Sequence, residues 1–166
     1  MKTELTRPEI DTAGMRFCIV VARWNHGYTS RLEAGAREGL QSVGIDDTRV
    51  ETVAVPGAFE LPLASLAAAQ TGKFDAVIAL GVVLRGDTPH FDYVAGQAAA
   101  GIMEASLGTG VPVMFGVITA DTPEQVEARC GERENNKGFE AARSAVEMIA
   151  AVWQLQGGSK AVPHVV

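Results

Sequence analysis

An α/β domain with a four-stranded parallel sheet and helices on both faces is predicted by two features of the sequence. Four strand-length segments lie along the chain, of which MRFCIVVA (15–22) and AVIALGVVL (76–84) are apolar runs suited to strands covered on both sides. Between and after them come segments with apolar residues at helical spacing, bounded by Gly, Pro or capping residues. Strand and helix alternating four times call for a parallel sheet, in which ligands bind at the carboxyl ends of the strands.

The elements follow in order. The stretch 1–14 is polar, holds Pro8 and Gly14, and reads as a flexible arm ahead of a domain over 15–156. MRFCIVVA (15–22) is the first strand. Thr29 or Ser30 is placed to cap the next helix, in which Leu32, Ala36, Leu40 and Val43 share a face before Gly44 stops it. RVETVAV (49–55) is the second strand, and Pro56-Gly57 turns the chain into a helix reaching about Gln70. AVIALGVVL (76–84) is the third strand, followed by a helix over about 91–107 that GTG (108–110) ends. VPVMFGVIT (111–119) is the fourth. Pro123 opens a short helix to Cys130, and a last helix spans about 138–156, leaving 157–166 as an aperiodic tail.

Composition removes several classes of function. With 166 residues, 47% apolar and 20% charged, the chain suits one globular domain and not a disordered segment. A formal net charge of −6 without a Lys/Arg cluster argues against nucleic acid as a partner. No signal-peptide core stands in MKTELTRPEI and no run nears ~18 apolar residues, so a cytoplasmic protein without a membrane partner is expected. Cys18 and Cys130 lack metal or disulfide spacing and read as buried small hydrophobes. His26, His90 and His164 show no ligand spacing, and neither metal nor cofactor is expected.

Chemistry is therefore sought in the post-strand loops 23–29, 56–60, 85–90 and 119–123. The third resembles a P-loop, but Asp87 stands where the lysine belongs, which argues against a nucleoside triphosphate. What remains is Gly86-Asp87-Thr88 at a helix start, suited to a phosphate dianion, or an ordinary helix start with Asp or Thr as its cap. His90 in the first turn is a candidate proton shuttle near neutral pH. Glu60 either complements a helix N-terminus or joins Phe59 in holding a planar, hydrogen-bonding ligand. Trp24 offers a stacking surface or a core cap. Arg129, Arg133 and Lys137 supply positive charge in an acidic chain.

The segments Arg23-Trp24-Asn25, PGAFELP (56–62), LGVVLRGDTPHFDYV (80–94), GVPVMFGVIT (110–119) and EARCGERENNKG (127–138) resemble the lumazine synthases over about 15–153. That resemblance implies a flavodoxin-like three-layer α/β/α domain that assembles into pentamers with active sites between subunits. It implies a transferase of riboflavin biosynthesis, condensing 5-amino-6-(D-ribitylamino)uracil with 3,4-dihydroxy-2-butanone 4-phosphate to 6,7-dimethyl-8-ribityllumazine and phosphate. Carried onto this chain, Trp24, Ala58, Phe59, Glu60, Val82, Val83 and Leu84 would hold the uracil, with Phe115 from an adjacent subunit. Asp87 and Thr88 would bind the butanone phosphate, joined by the neighbour's Arg129 and Lys137, and His90 would transfer protons. The short link GERENNKG leans toward a sixty-subunit shell, and a riboflavin synthase is a candidate partner.

Two positions depart from the family pattern. Trp24 replaces a common phenylalanine, and Asp87 stands where a small residue is usual; its carboxylate is expected to turn outward or cap the helix. Three rivals stand beside this reading: an archaeal-type riboflavin synthase, a non-catalytic lumazine- or flavin-binding shell protein, and a generic flavodoxin-like signalling domain. The last leaves PGAFE and the His90 loop unexplained.

Overall fold

The computed structural model describes residues 9–158; the beginning of the arm, the tail beyond 158 and His164 lie outside the described residues. The four strands are β1 (Phe17–Ala22), β2 (Val50–Val55), β3 (Ala76–Leu84) and β4 (Val113–Ala120). All pair in parallel in the order β2-β1-β3-β4. The helices are α1 (His26–Gln41), α2 (Leu61–Gln70), α3 (His90–Thr109), α4 (Pro123–Glu127) and α5 (Lys137–Leu155).

The apolar runs of the two central strands, β1 and β3, are continuous because both sheet faces are buried there, and alternate side chains serve different layers. Phe17, Ile19 and Val21 of β1 join Ile78 and Leu80 of β3 beneath Leu32, Ala36 and Leu40 of α1 and Ala142, Ala145 and Ile149 of α5. Cys18 and Val20 join Val77 and Ala79 beneath Leu61 of α2 and Ala98, Ile102 and Ala105 of α3. The result is a three-layer α/β/α domain. Strands β2 and β4 are the edges, and β2 is exposed from Glu51 to Ala54. No helix among the described residues is long and apolar enough to cross a membrane.

Three expectations are corrected. Helix α1 starts at His26, so neither Thr29 nor Ser30 caps it. Asn25 takes a left-handed conformation (φ 59°, ψ 40°), and its side-chain Nδ2 donates to the Val82 carbonyl at 3.0 Å. Its own carbonyl accepts from Tyr28 and Thr29 N–H, which starts the helix four residues early. Thr29 is thereby fully buried, and its hydroxyl has no partner among the described residues. Second, α4 stops at Glu127; Cys130 pairs instead as an isolated antiparallel bridge with Asn136. Third, α3 has Pro89 at its N-cap and no side-chain cap, so neither Asp87 nor Thr88 fills that role.

Gly44 does end the first helix. It sits at φ 86°, with Gly44 N bonded to Gln41 O and Ile45 N to Leu40 O, a Schellman closure. The described end of the arm is anchored: Thr12 Oγ1 donates to Val43 O at 3.2 Å, and Ile10 packs on the core.

Candidate active site

At the carboxyl edge of the sheet the first two loops are tied together. Arg23 N donates to Val55 O and Trp24 N to Pro56 O, at 2.8 and 2.9 Å, extending the β1–β2 ladder past the strand ends. Trp24 is left 65% exposed, its ring lying against Gly57. A Cβ at position 57 would stand 2.3 Å from Trp24 Cε3, so the indole uses space that only glycine leaves. Asn25, through Val82, fastens the same loop to β3.

Ala58–Glu60 form one turn of 3-10 helix ahead of α2. One oxygen of the Glu60 carboxylate accepts from Gly57 N at 2.9 Å, satisfying a donor at that turn's start. Glu60 therefore fulfils its structural reading while keeping a second oxygen on a half-buried side chain. Ala58 is buried and Phe59 is exposed. Val82 and Val83 are buried at the end of β3, and Leu84 is partly open.

The loop 85–89 then leads to α3. Asp87, Thr88 and His90 are all exposed, with His90 N donating to Thr88 Oγ1 at 3.4 Å. Arg85, absent from the sequence-derived site, organises this loop. Its Nε donates to Asp121 Oδ1 at 2.6 Å and its Nη1 to Asp92 Oδ1 at 3.3 Å, and its guanidinium lies 4.1 Å from the Phe91 ring centroid. The two carboxylates hold Arg85 firmly charged, the bond to Asp121 being the larger cause. The basic residue after β3 and the acidic one after β4 were the available signal.

Phe115, Arg129 and Lys137 form a second group. They line a cleft of about 360 Å³ beside β4, together with Met114, Glu140 and Ser144. Lys137 N donates to Arg129 O at 2.8 Å, placing the two cationic residues next to each other. Arg129 Nη1 donates to Gln125 O at 2.8 Å, and Lys137 Nζ to Glu140 Oε2 at 2.7 Å. Glu140 was not anticipated, although its three-residue spacing from Lys137 on one helix was visible.

Phe115 stands apart from the first group within one chain, although the cleft it lines also takes in Ile118 and Thr119, which pair with Val82 and Val83 of β3. Phe115 pairs with Ala79, five residues before Leu84 along β3, which is about 16 Å at strand rise. The cleft runs along β4 from Met114 to Thr119, one residue short of that strand's carboxyl end.

Fold and site define an α/β protein whose candidate site residues stand on the loops at the carboxyl edge of a parallel sheet and in a cleft beside β4. The profile of a family described as 6,7-dimethyl-8-ribityllumazine synthase matches residues 14–152. A protein of that name from Desulfatibacillum aliphaticivorans is 49% identical over 140 residues, covering 84% of this chain and 90% of its own. Another of the same name from Thermus thermophilus is 47% identical over 149 residues, covering 90% and 95%. The chain belongs to the 6,7-dimethyl-8-ribityllumazine synthase family.

Proposed function

We propose that this chain is a lumazine synthase of riboflavin biosynthesis, joining 5-amino-6-(D-ribitylamino)uracil to 3,4-dihydroxy-2-butanone 4-phosphate. The observation that carries the reading is the apposition of Trp24 on Gly57 beside Phe59 and Glu60. It offers an aromatic surface and a carboxylate oxygen where a parallel sheet accepts ligands. Family membership supplies the identity of the substrates.

In this reading Trp24 stacks on the pyrimidine and Glu60 accepts from ribityl hydroxyls, with Ala58, Phe59 and the Val82–Leu84 backbone shaping the slot. The uracil's amine attacks the ketone carbon, and loss of water gives an imine. Elimination then releases inorganic phosphate, and the second amine closes the ring with loss of another water. His90 moves the protons these steps require. Holding two substrates in register contributes in favourable cases about 7–11 kcal/mol. Thr88 and the backbone at Asp87 receive the phosphate, with the exposed Asp87 carboxylate facing away.

Phe115, Arg129 and Lys137 complete the site from a neighbouring chain. The displacement of Phe115 from Leu84 within one chain supports that arrangement, as does an arginine fork suited to a phosphate leaving group. A pentamer, or a shell built of pentamers, is the corresponding assembly.

The test is simultaneous release of inorganic phosphate and formation of the fluorescent lumazine from the two purified substrates. Both products, each requiring both substrates, are expected. Uracil binding without either product would replace the enzyme with a ligand-binding protein.

A further inference from the structure

We propose that Asn136 is a positioning residue for phosphate recognition, clipping the segment that carries Arg129 and Lys137 onto α1. The inference rests on the functional reading above and adds a residue that touches none of the substrates.

Asn136 is 3% exposed, and its amide is fully used. Oδ1 accepts from Gly138 N at 2.8 Å and Phe139 N at 3.2 Å, capping α5. Nδ2 donates to Gly131 O at 2.9 Å and to Arg31 O of α1 at 3.0 Å. An asparagine has two donors and two acceptor sites, and all four are engaged.

The caps alone account for half of these bonds. The other two run backwards into the 129–137 hairpin and across to α1, and they fix where that hairpin sits. Lys137 N on Arg129 O, Gly131 N on Asn135 O and Asn136 N on Arg133 O close the hairpin internally. Two ion pairs also reach α1, Arg31 with Glu127 just before the hairpin at 2.6 Å and Glu38 with Arg133 at its middle at 3.2 Å. Those pairs are exposed and contribute little to rigidity, so the buried amide is the rigid connection.

The packing is built around this amide. A Cβ at Gly35 of α1 would lie 2.3 Å from Asn136 Oδ1, and one at Gly138 would lie 2.0 Å from Leu32 O. Gly35 thus makes room for the Asn136 amide, and Gly138 lets the start of α5 approach the backbone of α1. Recognition of a phosphate by an arginine and a lysine depends on their relative placement, so loosening the clip should weaken phosphate binding selectively.

Asn136→Asp keeps the Oδ1 acceptor but sets a carboxylate oxygen against two carbonyls. Gly35→Ala disturbs the amide from the other helix. Gly39→Ala, whose Cβ would meet Phe139 O at 2.8 Å, crowds the same α1–α5 seam without reaching Asn136 and serves as the stability control. Steady-state kinetics and melting curves should show KM for the butanone phosphate raised tenfold or more in Asn136→Asp and Gly35→Ala. Turnover at saturation should stay within threefold, and KM for the uracil should not move. Gly39→Ala should melt lower with both KM values as in the wild type. Should Asn136→Asp not fold, Gly35→Ala reads the same quantity. Unmoved KM values, or an equal rise in Gly39→Ala, would leave Asn136 a helix cap only and overturn the inference. A wild-type protein that makes no lumazine removes the functional reading itself, a separate outcome.

Discussion

Trp24 and Gly57 form a single contact in which the indole occupies the volume a side chain at position 57 would need, with Cε3 only 2.3 Å from where its Cβ would stand. This explains how the loop after β1 accommodates a tryptophan ring against the turn at Pro56-Gly57. Gly57→Ala should displace the ring and raise KM for the uracil on the order of tenfold. Because Trp24 is 65% exposed, the melting temperature should change little. Steady-state kinetics with thermal melting separate the two effects; a large loss of stability with KM unchanged would contradict the assignment of Trp24.

Asn25 provides a test on the backbone. Asn25→Gly keeps the left-handed turn at φ 59° and loses only the bond to Val82 O, costing about 1 kcal/mol. Asn25→Ala loses the bond and also strains the turn, adding about 1–2 kcal/mol. Urea unfolding of both variants should therefore rank Ala below Gly, the reverse of ordinary helical propensity.

Much of the fold was legible because β1 and β3 are unbroken apolar runs and most helix ends carry Gly or Pro. The errors lie where a distant contact decides local structure. Helix α1 begins at His26 because Asn25 is held by a carbonyl 57 residues away, and no local pattern announces that bond. Asn136 reads as one more polar residue in GERENNKG, since the space it fills is left by Gly35, a hundred residues away on α1. The candidate site divides likewise. Trp24, Phe59, Glu60 and His90 stand out by residue type at strand ends. The closeness of Arg129 to Lys137 depends on a hairpin with Arg133 in a left-handed conformation, which propensity disfavours.

His90 and Arg129 should fail differently. His90→Ala should slow turnover by about 10²–10⁴ with modest change in either KM if proton transfer limits the rate. Arg129→Ala should raise KM for the butanone phosphate about tenfold or more while leaving that for the uracil alone. Interchanged phenotypes would exchange the two roles.

Cys18 gives a prediction in pH. Burial chiefly, with Glu51 adding to it, pushes its thiol up from 9.0 to about 11. The folded state therefore holds a proton that the unfolded chain releases first. Stability should be unaffected below about pH 9 and fall as pH rises through about 11, by about 2–3 kcal/mol in all. Denaturant titrations across that window should show the slope in the wild type and a flatter one in Cys18→Val.

The five register steps between Phe115 and Leu84 bear on genetics as well as on chemistry. With the proposed site split between neighbours, a chain lacking His90 still lends a sound Arg129 to the subunit beside it. A chain lacking Arg129 likewise lends a sound His90. Two defective alleles expressed together would then rebuild some whole sites from opposite halves, and growth without added riboflavin would return although neither parent strain grows alone.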